Sequence, residues 1–219
     1  MNILFKRKGK NFVVISYYTE DTIYAEQIKR LIASLEKFEL DYYIEGIPSL
    51  GSWKDATDYK ATFILRALTR VKAPVVFIDA DGEVVQYPQL FENLNNIDIA
   101  AFYSHINHLW SGTLYLNNCD KVRYLIENWI EANKINKVLF EQRILQSMIA
   151  QNKTIKLYKL PISYCQIYDH KFKSKFPVIV QHQASRITKK LNIPSFSEEE
   201  LVNLYKEIEK VSNNLWITY

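Results

Sequence analysis

Three apolar runs, residues 11–19 (NFVVISYYT), 40–47 (LDYYIEGI) and 75–78 (VVFI), are rich in β-branched and aromatic residues and read as strands. Between the first two, Ile23, Ile28, Leu31, Ile32 and Leu35 recur at helical spacing. Between the second and third, the turn-rich PSLGSW is followed by ATFILRALTRV, a second helical pattern that Ala73-Pro74 breaks. Strand, helix, strand, helix, strand leaves few options. Short right-handed crossovers make the strands parallel, which predicts an α/β protein with helices flanking a central sheet. Ligands of such sheets gather beyond the carboxyl ends of the strands. The third strand runs there into Asp79-Ala80-Asp81-Gly82.

The pattern continues with strands at 97–103 and 111–118, helices at 121–133 and 138–151, and short strands at 154–161 and 176–183, the last delivering His182 at its end. Ser197 and the acids after it predict a C-terminal helix at about 197–213. No repeat, linker or break in composition interrupts the chain, so a single domain over residues 1–219 is expected. With 48% hydrophobic and 24% charged residues, the chain is of globular rather than disordered composition. A net charge of +4 is too mild to argue for nucleic acid. Lys6, Arg7, Lys8 and Lys10 form a basic cluster, read as a solvated face or as a membrane-surface or polyanion patch. Without a run of transmembrane length or the apolar core of a signal peptide, a cytoplasmic protein is expected. Cys119 and Cys165 lack metal-like spacing and fit reduced, structural thiols. The 15 tyrosines suit flat or sugar-like ligands, or reflect a compositional bias of the genome.

Two carboxylates one residue apart repel unless a cation compensates them. A hard divalent ion does so with oxygen ligands, and Mn²⁺ or Mg²⁺ leaves positions open for phosphate oxygens. A departing nucleoside diphosphate needs its developing charge neutralised, which such an ion supplies. The plainer reading is that Asp79 and Asp81 cap a loop.

Residues 59–94 (YKATFILRALTRVKAPVVFIDADGEVVQYPQLFENL) resemble glycosyltransferases of the GT-A fold, with a lysine-bearing helix, an apolar strand ending in Asp-x-Asp and a Phe-containing segment beyond it. The likeness continues through WSGTLYLNN (110–118), FEQRILQSMI (140–149), LPISYC (160–165) and VIVQHQASR (178–186). The resemblance implies a mixed, mostly parallel central sheet and transfer of a sugar from a nucleoside diphosphate sugar to a hydroxyl on a glycan, lipid, protein or modified base. It makes Asp79, Asp81 and His182 the metal ligands, with Asp79 also near the ribose. Tyr17, Tyr18 and Thr19 would receive the nucleotide, Lys60 would reach ribose or phosphate, and Arg186 would neutralise the diphosphate. Gly112 would let a sugar approach the backbone, and Glu141 and Gln142 would face it as catalytic or acceptor-side groups. Trp110 in place of Asn, Glu141 in place of Asp and a late His motif without its glycine depart from the pattern, which leans towards the retaining type.

VVFIDADGEV also resembles the first motif of haloacid-dehalogenase-type phosphatases, in which Asp79 would be the nucleophile and Asp81 the general acid–base. That family begins with this strand and needs a later acidic pair, which is not found here. A catalytically inactive sugar-nucleotide-binding module is the remaining alternative. A nucleotidyltransferase would need a Gly-rich phosphate loop, and the chain has only 5 Gly.

Overall fold

The computed structural model describes residues 2–136 and 138–183. Arg186 and the helix expected at 197–213 lie outside them. The elements are β1 (Ile3–Lys6), β2 (Val13–Thr19), α1 (Tyr24–Lys37), β3 (Tyr42–Ile47), α2 (Trp53–Val71), β4 (Val75–Ile78), β5 (Gly82–Val84), β6 (Ile99–Tyr103) and β7 (Leu109–Leu116). They continue with α3 (Asp120–Ile135), α4 (Glu141–Gln151), β8 (Leu157–Leu160), β9 (Gln166–Ile167) and β10 (Ile179–Gln181). One sheet has seven strands in the order β1-β3-β2-β4-β7-β6-β8, and a smaller one has the order β5-β10-β9.

β3, β2 and β4 are parallel, as the alternation of strands and helices requires. Beyond them the large sheet departs from a mostly parallel one. β7 runs antiparallel to both β4 and β6, β8 is parallel to β6, and β1 is antiparallel to β3. The parallel and antiparallel pairings are therefore equal in number. The apolar runs themselves carry no direction, so this half of the topology could not be read from them.

Burial on both faces explains why the strands read as continuous apolar runs. Along β2, Val13 and Ile15 enter a core layer containing Phe63 of α2, Trp129 of α3 and Ile144 of α4. Val14 turns the other way, towards Leu31 and Leu35 of α1 and Phe91. Trp129 is fully buried, and its indole N–H donates to Glu141 O at 2.9 Å, so its one polar atom is satisfied. α2 begins well before the apolar pattern at residue 61. Ser52 caps it by accepting from the Asp55 N–H at 3.0 Å, while its hydroxyl donates to the Asp55 carboxylate at 2.6 Å.

The basic N-terminal cluster leaves Arg7 and Lys8 exposed, while its backbone has a structural use. β1 pairs with β3, and the segment after it folds over the buried carboxylate of Asp41. Backbone N–H groups of Lys8, Gly9 and Lys10 donate to that carboxylate, and Arg7 reaches it at 3.1 Å. Gly9 serves the turn with φ of +94°. Among the described residues no helix is long and apolar enough to cross a membrane.

Candidate active site

α1 carries the chain from β2 to β3 on one side, and α2 returns it to β4 on the other. The strand order therefore reverses beside β2, and a crevice opens at the carboxyl ends of β2 and β4. A cavity of about 350 Å³ lies there, lined by Tyr17, Tyr18, Thr19, Lys60, Asp79, Asp81, Gly112, Glu141 and Gln142. The structure thus brings together every predicted site residue that it describes except His182. Tyr24, Trp53, Trp110, Ser111, Arg143, Gln181 and Gln183 also line the cavity.

A buried lysine organises the floor. Lys60 Nζ lies 3.1 Å from Asp79 Oδ1 and 3.1 Å from Glu141 Oε1, and donates to Ser111 Oγ at 2.9 Å. The Ser111 hydroxyl donates in turn to Glu141 Oε1 at 2.6 Å. Burial alone would push the Lys60 amine down, but the carboxylates of Asp79 and Glu141 outweigh it and hold the pKa above the ordinary lysine value. Lys60 is therefore a fixed cation that positions Asp79. Glu141 is thus engaged by both Lys60 and Ser111. Gln142, beside it at the start of α4, accepts weakly from the Ser111 N–H at 3.4 Å.

An irregularity in β7 aims these groups. Ala101 of β6 faces Leu114, but the next residue, Phe102, faces Trp110, so Ser111, Gly112 and Thr113 bulge away from β6. The bulged stretch bonds to the end of β4 instead: Thr113 faces Ile78, and Gly112 O accepts from the Asp79 N–H at 3.0 Å. Gly112 was expected to leave room for a sugar. A Cβ there would lie 3.1 Å from Gln181 Cδ and 3.3 Å from Asp79 Oδ2, so the protein's own side chains use that space.

The His182 side chain is not among those that line the cavity. On β10, Ile179 and Gln181 are buried, and strand alternation gives the next residue to the opposite face. His182 Nε2 lies 2.8 Å from Glu83 Oε2, and its ring stacks on Tyr168 with centroids 6.0 Å apart. Only its backbone touches the acidic loop, donating to Asp81 O at 3.0 Å. Gln181 and Gln183 face the cavity in its place. Among the described residues no group of three His, Cys, Asp or Glu side chains could hold a metal ion. Amide oxygens also bind hard cations, and the Gln181 Oε1 atom is buried without a partner. Two carboxylates and a spare amide oxygen form a donor set that fits a hard divalent cation.

The tyrosines divide by strand parity. Tyr17 packs against Tyr59, Phe63 and Phe77, and its hydroxyl donates to Ala56 O, so it is a wall of the cavity. Burial, then Asp79 and Glu141, raise its pKa well above the usual tyrosine value. Tyr18 lies across Gly46, where a Cβ would come within 2.9 Å of its hydroxyl. Cys119 and Cys165 are both free thiols. Cys165 lines the cavity, and burial pushes its thiol up to about 12, which keeps it protonated and inert.

The fold is that of GT-A glycosyltransferases. No family model matches the chain, and no curated protein sequence does. Among solved structures, a glycosyltransferase involved in the glycosylation of the major capsid of PBCV-1 is 13% identical, with a TM-score of 0.62 over 91% of this chain and 98% of that one. Mouse xyloside xylosyltransferase 1 in its apo form is 11% identical, with a TM-score of 0.52 over 84% of this chain and 99% of that one. The glycosyltransferase GlyE of Streptococcus pneumoniae TIGR4 is 16% identical, with a TM-score of 0.53 over 94% of this chain and 63% of that one. At these identities the likeness defines the fold.

Proposed function

We propose that the chain is a metal-dependent glycosyltransferase that moves a sugar from a nucleoside diphosphate donor to a hydroxyl acceptor. The observation that carries the reading is the position of the acidic pair. Asp79 and Asp81 sit at the switch point of a GT-A sheet, inside a cavity with a buried lysine bound to Asp79. A phosphate-binding crevice needs such an arrangement of oxygen ligands and fixed charge.

Asp79 and Asp81 would hold Mn²⁺ or Mg²⁺, which when bound supplies Lewis-acid neutralisation of the leaving diphosphate. Lys60 orients the Asp79 carboxylate through the 3.1 Å contact. Tyr18, Tyr24 and Trp53 offer ring faces or edges for the nucleoside, with Tyr17 as the wall behind them. Gln142 at the start of α4 presents a polar group to the sugar, and Ser111 and Glu141 hold that end of the helix in place. Trp110 and the half-open mouth are left for the acceptor.

The test is a thermal-shift screen of nucleoside diphosphates and their sugars with Mn²⁺, followed by donor hydrolysis and transfer assays. A ligand at one hundred times its Kd stabilises by about 2.7 kcal/mol, which is readily seen as a higher melting temperature. The expected result is a metal-dependent shift with one nucleotide and turnover that Asp81→Asn abolishes. Unchanged turnover in Asp81→Asn would overturn the reading, and binding without turnover in the wild type would make the chain an inactive sugar-nucleotide module.

A further inference from the structure

The side chain of Gln181 is fixed at one end and unsatisfied at the other. Its Nε2 donates to Gly112 O at 2.9 Å and to Thr113 Oγ1 at 3.0 Å, while Oε1 has no partner although the residue is only 2% exposed. A backbone carbonyl can only accept, so the amide nitrogen must face β7 and the oxygen must point away from it. The oxygen points at the acidic loop. It lies 3.3 Å from where a Cβ on Gly82 would sit, directly after Asp81, and the amide carbon shares the space over Gly112 with Asp79 Oδ2.

Amide carbonyls are ordinary ligands of hard divalent cations, and a neutral oxygen added to two carboxylates leaves the charges of the site balanced by a dication. We propose that Gln181 Oε1 is the third protein oxygen of the cation site formed with Asp79 and Asp81, in the role that the sequence resemblance assigned to His182. The inference rests on the metal-dependent reading above. It follows from strand parity, because one face of β10 carries Gln181 into the cavity and the other pairs His182 with Glu83.

The experiment measures Mn²⁺ binding directly, by the electron paramagnetic resonance of free Mn²⁺, on the full chain with Mn²⁺ alone and with Mn²⁺ plus each common nucleoside diphosphate. Gln181→Leu is expected to weaken Mn²⁺ at least tenfold, and Gln181→Glu to match or exceed the wild type. His182→Ala should stay within twofold of it. Metal-free melts check that each variant folds. Should Gln181→Leu fail that check, Gln181→Asn, which withdraws the oxygen by one methylene, is expected to weaken Mn²⁺ in the same way. Wild-type affinity in a folded Gln181→Leu would overturn the proposal, as would a large loss in His182→Ala. Intact Mn²⁺ binding in Gln181→Leu with lost affinity for the donor sugar would also overturn it, making Oε1 an acceptor for a sugar hydroxyl. Turnover by a wild-type protein that binds no Mn²⁺ would remove this proposal while leaving sugar transfer in place.

Discussion

Lys60 holds two acidic groups in a buried floor, and removing it would strand both. Lys60 and Glu141 are almost fully buried, whereas the Asp79 side chain keeps 38% of its exposure and is partly screened by water. Lys60→Met is therefore expected to cost about 3–5 kcal/mol, mostly through the uncompensated Glu141. The double variant Lys60→Met/Glu141→Gln should recover part of that loss, because the stranded charge is gone. Urea unfolding of the wild type, both single variants and the double variant reads the coupling directly, and additive losses would show that the ion pair is not the source. The pH dependence has a definite sign. The folded-state pKa of Lys60 is raised, so its contribution is fully present below the ordinary lysine value of about 10.4 and fades as pH rises through the higher folded value. The stability gap between wild type and Lys60→Met should thus be flat from neutral pH to about 10 and narrow above it.

At the scale of elements, the N-terminal segment acts as a clamp on β3. Asp41 accepts from three backbone N–H groups and from Arg7 while fully buried. Asp41→Ala would leave those donors without their acceptor, and a loss of about 2–4 kcal/mol is expected by denaturant titration. Ser52→Ala removes only the cap of α2 and should cost about 1 kcal/mol. The cavity lining was largely legible in the sequence because one β-α-β-α-β unit places Tyr17–Thr19, Lys60 and Asp79 at the same sheet edge. Asp79 could be read from the abrupt end of an apolar strand. β1 was hidden because a short edge strand followed by Lys and Arg looks like any solvated basic stretch. The bulge at Ser111–Thr113 has no local signature, since it shows only in the register of β7 against β6. For His182 the parity of β10 was available: a buried Ile179 implies a buried Gln181 and turns His182 outward. The metal role of His182 came from the resemblance, which carries no information on that parity.

For the molecule as a whole, the placement of the tryptophans makes it possible to watch the site without a label. Trp53 and Trp110 line the cavity, whereas Trp129 is sealed in the core with its N–H bonded to Glu141 O. Trp53 also meets Phe140 edge to face just before α4, and Trp110 contacts Phe102 and His170. Among the described residues, an occupant of the cavity changes the surroundings of two indoles and leaves that of Trp129 untouched; Trp216, the fourth tryptophan, lies outside them. Under selective tryptophan excitation, emission should therefore change in saturable fashion as a nucleoside diphosphate is added with Mn²⁺. Trp129→Phe, if it folds, should keep the amplitude of that change. Trp53→Phe and Trp110→Phe should each remove a different share of it, so that the two indoles report separately and the order in which nucleotide and sugar acceptor arrive becomes a question of optical kinetics.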